Sequence, residues 1–203
     1  MIGIGLTVAA TAWLVVSIRA NRGQFAKPIA SLGFLLVLVE PLEPGTRTTL
    51  IVIGLVLGAI GDVALMGRSD ISFMLGLGAF LLGHVAYLVA LALDATDPFW
   101  LGIGSLLALT LAVVVMRWLR PHLEAPFTVA VPIYVVVICL MLTAGIGAGP
   151  ERPLAAVGAV LFAASDLFVA RQRFVTSEPI NPSVGLPLYY AAQLLIAWSV
   201  VAG

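Results

Sequence analysis

Apolar runs of about 17 to 20 residues recur along this chain, and short polar stretches separate them. A helix of that length crosses the hydrocarbon core of a bilayer, because each residue adds about 1.5 Å along the helix axis. Of the 203 residues, 62% are hydrophobic and only 10% are charged. A soluble domain needs more polar side chains than this to cover its surface. The sequence therefore predicts an all-α, polytopic integral membrane protein with one transmembrane domain over residues 1–203.

Polar residues divide the chain into eight apolar segments, which we number in chain order. They cover residues 2–18, 28–40, 48–66, 72–92, 98–118, 126–143, 153–170 and 185–202. The second segment is short for a span, so it is also compatible with a re-entrant piece. The first segment is interpreted as a spanning helix and not as a signal peptide, because its positive charges follow the apolar stretch.

The distribution of Lys and Arg residues decides between the two topologies. With eight spans, the loops after segments 1, 3, 5 and 7 share one side and carry eight of the ten basic residues. If the second segment does not span, the later loops change sides and the basic residues divide five against five. Cytoplasmic loops carry an excess of basic residues, which favours eight spans. We therefore expect a protein of the inner (plasma) membrane with both termini outside the cytoplasm.

Composition also excludes several classes of function. The formal net charge is zero and no basic arm or patch is present, so no nucleic-acid partner is expected. The single cysteine, Cys139, lies in an apolar run, which predicts no disulfide framework and no cysteine-based metal site. No spacing of His, Cys and carboxylate residues suits zinc, and neither a phosphate loop nor a nucleophile elbow is present. Any chemistry must come from isolated polar residues within the apolar segments.

Two aspartates interrupt the apolar segments at corresponding places. Asp62 lies in AIGDVALM and Asp166 lies in AVLFAASDLFVA, each about four residues before the cytoplasmic end of its segment. Both carboxyl groups are therefore expected roughly 6 Å inside that boundary. The motifs are four segments apart, which is compatible with a parallel 4+4 internal repeat. An ionisable side chain at such a depth is costly, and this cost favours a functional role.

Further polar side chains are expected to converge on the same half of the membrane, because segments 4, 6 and 8 enter from that side. The candidate substrate-binding residues are Lys27, His84, Tyr87, Tyr134, Ser165, Tyr190 and Gln193. One polar cavity that opens to the cytoplasm would explain this asymmetry. The alternative is purely structural, since an intramembrane aspartate can simply hydrogen-bond a neighbouring helix and an interior histidine can be satisfied by its neighbours.

Five short motifs carry a resemblance to a known family. GDVAL, GHVAY, the pair Lys27–Pro28, SDLFVARQRF and YYAAQLLIAW, in this order and spacing, resemble the YhhN/TMEM86 family of membrane proteins. The resemblance covers segments 2 to 8 and implies eight helices. It also implies lysoplasmalogenase activity, which cleaves the vinyl ether bond of an alkenyl-glycerophosphocholine or -ethanolamine to a fatty aldehyde and a glycerophospho-headgroup. The signature acidic positions of the family correspond to Asp62 and Asp166, which the resemblance makes the catalytic pair.

The chemistry of a vinyl ether explains a pair of carboxyl groups. Hydrolysis begins with protonation of the carbon β to the oxygen, and water then attacks the oxocarbenium ion. A carboxyl group in a medium of low dielectric constant keeps its proton and can act as the acid. A second, ionised carboxylate stabilises the cation and takes a proton from the water. No metal or other cofactor is required, and either aspartate can be the acid.

The expected partners are a single-chain ether phospholipid as substrate and the surrounding membrane lipid. The tail would lie among apolar helices, while the headgroup would face a basic rim to which Lys27, Arg171 and Arg173 contribute. Two other functions stay open at this point. A proton-coupled transporter also uses intramembrane Asp and His residues, although the polar residues here cluster in one half of the membrane. The other is a non-catalytic lipid-binding protein.

Overall fold

The computed structural model describes residues 26–67 and 69–201, together with positions 5, 8, 9, 12 and 13, which are helical. The predicted first segment, 2–18, thus lies largely outside the described residues, and so does Arg68. Within the described ranges the chain is helical, and its only extended pairing is one antiparallel bridge between Leu42 and Val201. The predicted all-α class is confirmed.

Seven α-helices follow one another along residues 26–201, and we number them in chain order. They are α1 Ala26–Leu35, α2 Thr46–Ala64, α3 Asp70–Ala92, α4 Pro98–Leu119, α5 Phe127–Gly147, α6 Pro153–Ala170 and α7 Ile180–Trp198. A 3₁₀ turn, Leu36–Val39, extends α1, and a π-helical turn, Arg171–Val175, extends α6. Helices α1 to α7 correspond in order to the predicted segments 2 to 8.

Five of the described helices are long and apolar enough to cross a membrane. They are Thr46–Ala64, Asp70–Ala92, Pro98–His122, Phe127–Gly147 and Pro153–Val175. The short α1 and the more polar α7 are not among them. Helix α4 leaves Leu106, Leu109 and Val114 more than half exposed, and such a surface is suited to lipid and not to water. The chain is an integral membrane protein.

Local sequence explains where the helices begin. The Ser69 side chain accepts a hydrogen bond from the backbone N–H of Ser72 and caps α3. Asp97 caps α4 in the same way by accepting from the first free N–H groups, and Pro98 follows at the first helical position. Helix α7 begins at Ile180, directly after Pro179 and five residues before the predicted start of the last segment.

The π-helical turn lengthens the helical path that carries one of the predicted site residues. Asp62 lies two residues before the end of α2 at Ala64. Asp166 lies four residues before the end of α6, but the helical path continues without a break to Val175. The expectation of matched depth assumed that this path ends at residue 170. Asp166 is therefore farther from the end of its helical path than Asp62 is.

Consecutive helices run in alternating directions, so the bundle has two distinct ends. Helix α3 packs against α2 and α5, α6 packs against α5 and α7, and α1 packs against α2 and α7. We call the end that carries Asp70, Phe127 and Arg173 the mouth end, because a cavity opens there. The other end carries Arg47 and Asp94, and we call it the far end.

An ion-pair network joins several elements at the far end. The Nε atom of Arg47 lies 2.6 Å from Oδ2 of Asp94. The same guanidinium donates to the carbonyl oxygen of Ser199 at 2.8 Å and to its hydroxyl at 3.0 Å. Arg152 lies farther out, 3.4 Å from Asp94 and 3.5 Å from Glu43. Arg47 thus ties the start of α2 to the segment after α3 and to the end of α7.

Candidate active site

A cavity of about 690 Å³ extends from the mouth end into the bundle and brings both predicted catalytic residues together. Its polar lining residues are Lys27, Asp62, Tyr134, Ser165, Asp166, Gln172, Arg173, Ser177, Asn181 and Tyr189. Its apolar wall includes Leu77 and Phe80 from α3, Leu111 and Val115 from α4, and Val131, Val135, Ile138 and Cys139 from α5. One compartment therefore combines a polar centre with a long apolar side.

Asp62 sits in a pocket of hydrogen-bond donors. Its side chain is buried, with only 3% of the residue exposed. The Ser31 hydroxyl donates to Oδ2 of Asp62 at 2.6 Å, and the Tyr189 hydroxyl donates to the same oxygen at 2.9 Å. A carboxylate oxygen that accepts two such bonds is stabilised in its ionised form, because charge-assisted hydrogen bonds are about twice as strong as neutral ones.

A buried chain of hydrogen bonds leads to Asp62 from behind the cavity wall. The Tyr87 hydroxyl donates to Oε1 of Gln193 at 2.6 Å, and Nε2 of Gln193 donates to the Tyr189 hydroxyl at 3.0 Å. Since the Tyr189 oxygen accepts that bond, its own hydrogen is free to point to Asp62. Every donor in this chain is therefore directed toward the Asp62 carboxylate.

Asp166 has different surroundings. Its Oδ2 atom lies 3.4 Å from Nε2 of His84, and neither atom has a hydrogen-bond partner within the described ranges. The other ring nitrogen of His84, Nδ1, lies 2.6 Å from the carbonyl oxygen of Phe80. Aromatic rings enclose the imidazole, with centroids 4.4 Å away for Phe162 and 5.3 Å away for Tyr134. The two carboxyl groups of the cavity are thus held by contrasting partners.

Basic and aromatic side chains form the mouth of the cavity. Arg173 pairs with Asp70, and its guanidinium carbon lies 4.6 Å from the centre of the Phe73 ring and 5.4 Å from that of Phe127. Arg171, two residues earlier, donates to Asn181 at 2.5 Å. The π-helical turn after α6 therefore presents one arginine over the aromatic rings and directs the other toward the start of α7.

The sequence of this chain matches a known protein family. A family model described as the YhhN family matches residues 23–200. The chain belongs to the YhhN family. Its predicted resemblance to YhhN/TMEM86 proteins is confirmed, and the matched residues include all seven described helices.

Several curated relatives of this YhhN protein carry the name lysoplasmalogenase. Lysoplasmalogenase TMEM86A of Bos taurus is 36% identical over 161 residues, which are 75% of this chain and 65% of the relative. Lysoplasmalogenase TMEM86B of Rattus norvegicus is 34% identical over 176 residues, covering 86% and 70%. The lysoplasmalogenase of Mycobacterium tuberculosis (strain CDC 1551 / Oshkosh) is 32% identical over 176 residues, covering 82% and 66%. The chain spans about two thirds of the length of these relatives. No solved structure matches the chain.

The predicted substrate-binding residues of this YhhN protein divide into two groups. Lys27, Tyr134 and Ser165 line the cavity together with Asp62 and Asp166. The other four, His84, Tyr87, Tyr190 and Gln193, are buried behind the described wall and contact other side chains. In the described part of the chain, no three His, Cys, Asp or Glu side chains are grouped as ligands of a metal ion.

Sequence reasoning missed two partners of Asp62. The prediction names Tyr190 and not Tyr189, whereas the Tyr189 hydroxyl reaches Asp62 and the Tyr190 hydroxyl donates to the Lys27 carbonyl at 3.3 Å. A usable signal was present, because Tyr189 lies one turn before Gln193 and shares its helix face. Ser31 carries no such signal, since a serine in an apolar helix is common and its Oγ also lies 3.0 Å from the Lys27 carbonyl.

Proposed function

We propose that this YhhN protein is a lysoplasmalogenase-type ether hydrolase. Its substrate would be an alkenyl-glycerophosphocholine or -ethanolamine, and its products a fatty aldehyde and the glycerophospho-headgroup. The observation that carries the proposal is that two buried carboxyl groups, Asp62 and Asp166, line one cavity in contrasting surroundings. The family membership and the names of the relatives support the same reaction.

Two carboxyl groups are enough for the chemistry. One carboxylic acid transfers its proton to the carbon β to the oxygen, and the positive charge spreads over the neighbouring carbon and the ether oxygen. Water adds to that carbon to form a hemiacetal and gives a proton to the second, ionised carboxylate. The carbon–oxygen bond to glycerol then breaks. The glycerol oxygen takes the proton of the second carboxyl group, while the hydroxyl proton returns to the first, so both groups are restored.

The shape of the cavity supports a substrate with one long chain. Leu111 and Val115 of α4 and Val131 and Val135 of α5 are apolar and line the same cavity as the two carboxyl groups. This apolar side would hold the alkenyl tail and place its vinyl ether near the polar centre. A lipid with a second chain would need a groove of its own.

The mouth of the cavity supports a phosphate headgroup. Lys27 and Arg173 line it and supply positive charge, while Ser177 and Asn181 supply polar side chains. A Lys27–phosphate contact made equally in the ground state and the transition state contributes uniform binding. Lys27→Gln should therefore raise KM by an amount that corresponds to about 1–3 kcal/mol and leave kcat nearly unchanged. An unchanged KM in correctly inserted protein would remove Lys27 from the headgroup site.

The proposed membrane arrangement has eight spans, with both termini outside the cytoplasm and the mouth end facing it. Its support is that α1 and α7 pack against the long apolar helices, and that Arg117, Arg120, Arg171 and Arg173 lie at the mouth end. The 4+4 internal repeat stays a prediction. Its support is that the two aspartates lie near the ends of α2 and α6, which are four helices apart.

The deciding experiment is incubation of purified protein with a lysoplasmalogen, followed by mass spectrometry for free aldehyde. Wild-type protein should release it, while Asp62→Asn and Asp166→Asn should each stay folded in detergent and release almost none. The amide keeps the size of the side chain but cannot exchange the proton. Wild-type turnover in either variant would refute the two-carboxyl mechanism. Solute uptake into proteoliposomes without aldehyde release would instead favour a transporter.

A further inference from the structure

The two carboxyl groups differ in what their partners can donate. Oδ2 of Asp62 accepts from two hydroxyl groups, and the chain from Tyr87 through Gln193 fixes the direction of one of them. A proton on that oxygen would oppose the hydrogen of the Tyr189 hydroxyl, whose direction is fixed, whereas the Ser31 hydroxyl can also donate to the Lys27 carbonyl oxygen at 3.0 Å. The arrangement fits an ionised carboxylate at Asp62.

Asp166 has no such donors among the described side chains. Its partner His84 uses one ring nitrogen, Nδ1, as a donor to another group, and the other nitrogen faces Asp166. The Phe80 carbonyl oxygen can only accept, so Nδ1 of His84 carries a hydrogen. In a neutral imidazole the other nitrogen, Nε2, then presents a lone pair. An ionised Asp166 would place a second acceptor 3.4 Å from that lone pair with no hydrogen between them. One proton therefore belongs to this pair, either on the carboxyl group or on Nε2.

The surroundings decide which of the two groups holds it. His84 is 1% exposed and is packed against the rings of Phe162 and Tyr134. Among the described basic side chains, only His84 comes within ion-pair distance of the Asp166 carboxyl group. A neutral acid beside a neutral imidazole avoids the desolvation of two charges in this apolar place. The 3.4 Å separation between Oδ2 of Asp166 and Nε2 of His84 is longer than a normal hydrogen bond, so the imidazole holds the acid proton only weakly.

We propose that the resting site stores its catalytic proton on Asp166, that neutral His84 positions it as the Nδ1–H tautomer, and that Asp62 is the ionised carboxylate. Within the proposed function, on which this assignment of roles rests, Asp166 protonates the vinyl carbon and Asp62 accepts the proton of water. His84 acts through Asp166 and does not touch the reacting atoms. It is a positioning residue and not a contact for the headgroup.

Infrared spectroscopy of the purified protein without substrate tests the location of the proton. A protonated carboxyl group has a carbonyl stretch that is separate from the bands of carboxylates. This band should be lost in Asp166→Asn and should persist in Asp62→Asn. Absence of the band in wild-type protein, its persistence in Asp166→Asn, or its loss in Asp62→Asn would overturn the assignment.

The state of His84 can be measured separately, because the chain has only two histidines. In a His122→Gln protein, ¹⁵N labelling of histidine leaves one imidazole, since His122 is the exposed residue at the end of the 3₁₀ turn after α4. We expect one protonated and one unprotonated nitrogen, with the hydrogen on Nδ1. Two protonated nitrogens, or a hydrogen on Nε2, would overturn the proposal.

Kinetics of two His84 variants test the positioning role. The Asn side chain can replace Nδ1 but leaves nothing at Nε2, whereas the Gln side chain reaches the Nε2 position. His84→Asn should lower kcat by about 10- to 100-fold, part of the usual contribution of general acid catalysis, and leave KM nearly unchanged. His84→Gln should recover part of that loss. An equal loss in both variants, or an effect confined to KM, would contradict the role.

The spectroscopic measurements need no substrate, so the two proposals can fail independently. A protein that releases no aldehyde but shows the Asp166 band would refute the hydrolase function and leave the proton assignment intact. A protein that releases aldehyde but lacks the band would refute the assignment and leave the function intact.

Discussion

At the scale of single residues, two adjacent tyrosines of α7 have different tasks. The Tyr189 hydroxyl donates to the Asp62 carboxylate, whereas the Tyr190 hydroxyl donates to a backbone carbonyl, that of Lys27. Tyr189→Phe removes a hydrogen bond to a charged group, which is worth about 1.5–3 kcal/mol. We expect kcat/KM to fall by about 10- to 100-fold, a loss that steady-state kinetics with lysoplasmalogen would measure.

Tyr190→Phe is the matched control for this prediction. The substitution is the same, the position is the next residue, and the lost bond at 3.3 Å is longer than the one to Asp62. Its kcat/KM should stay within about threefold of the wild-type value, as expected for the loss of a weak neutral bond. A larger effect in Tyr190→Phe than in Tyr189→Phe would show that Asp62 does not depend on Tyr189.

Sequence identifies the two aspartates that line the cavity but not their hydrogen-bond partners, for a physical reason. A carboxyl group in an apolar helix is expensive, so its presence alone indicates function, whatever surrounds it. Ser31 and Tyr189 cost little in a membrane helix, so their presence alone indicates no role. Their contacts with Asp62 depend on the packing of α1 and α7 against α2. The pairing of His84 with Asp166 likewise depends on the register of α3 against α6, which periodicity does not contain.

At the scale of helices, a single glycine lets α2 approach α7 at the Asp62 site. A Cβ atom added to Gly58 would collide with the side-chain amide of Gln193 and would lie 3.2 Å from the Tyr189 hydroxyl. Gln193 is fully buried and holds two hydrogen bonds, so it cannot move aside without breaking them. Gly58→Ala should therefore reduce kcat by about 10-fold or more, an effect of about 1.4 kcal/mol or more on the barrier.

Gly78→Ala provides the comparison within the same membrane domain. Gly78 lies in α3, and a Cβ atom there would meet nothing within 4 Å. Alanine is the better helix former by about 1 kcal/mol, so this variant should keep wild-type kcat and an equal or higher Tm. Equal kcat values for the two variants would show that close approach at Gly58 is unimportant for the site.

The helix boundaries show which part of the architecture depends on more than apolarity. The start of α6 at Pro153 coincides with the start of its predicted segment, because a proline sets the first turn. Its last residue, Ala170, also ends the predicted segment, but the backbone continues through Arg171, Gln172 and Arg173 as a π-helical turn that was not predicted. That turn is held by contacts to other elements, such as Arg171 with Asn181 and Arg173 with Asp70. A hydropathy pattern carries no information about tertiary contacts of this kind.

At the scale of the whole molecule, the network at the far end should stabilise the bundle through one arginine far more than through the other. Arg47 has a side chain that is 11% exposed and makes a 2.6 Å contact with Asp94 and two hydrogen bonds to Ser199. Arg152 is 36% exposed and makes only contacts of 3.4 and 3.5 Å. Arg47→Ala should cost about 1–3 kcal/mol of unfolding free energy, while Arg152→Ala should cost about 0–1 kcal/mol.

Thermal unfolding in detergent measures this difference between the two arginine variants. Tm should fall clearly in Arg47→Ala and only slightly in Arg152→Ala, and aldehyde release at low temperature should stay near wild type in both, since the cavity lies at the other end. Equal Tm values for the two variants would mean that the far end does not depend on the Arg47 contacts.

The orientation of the bundle can be tested with two glutamates that flank one helix. Glu124 and Glu151 are both exposed and lie just before and just after α5, so they mark the mouth end and the far end of the same helix. The only cysteine of the chain, Cys139, is buried in α5 and can be replaced by alanine to remove background labelling. Since Arg117 and Arg120 lie on the Glu124 side, the excess of basic residues predicts that this side is cytoplasmic.

An impermeant thiol reagent added to intact cells should therefore label Glu151→Cys and leave Glu124→Cys unlabelled until the membrane is permeabilised. With this result, the cavity would receive its lipid from the cytoplasmic leaflet, and the headgroup would lie against the basic mouth. The reverse labelling pattern would place the mouth outside the cytoplasm. The substrate would then have to come from the outer leaflet, and the predicted topology would be wrong even if both carboxyl groups proved essential for hydrolysis.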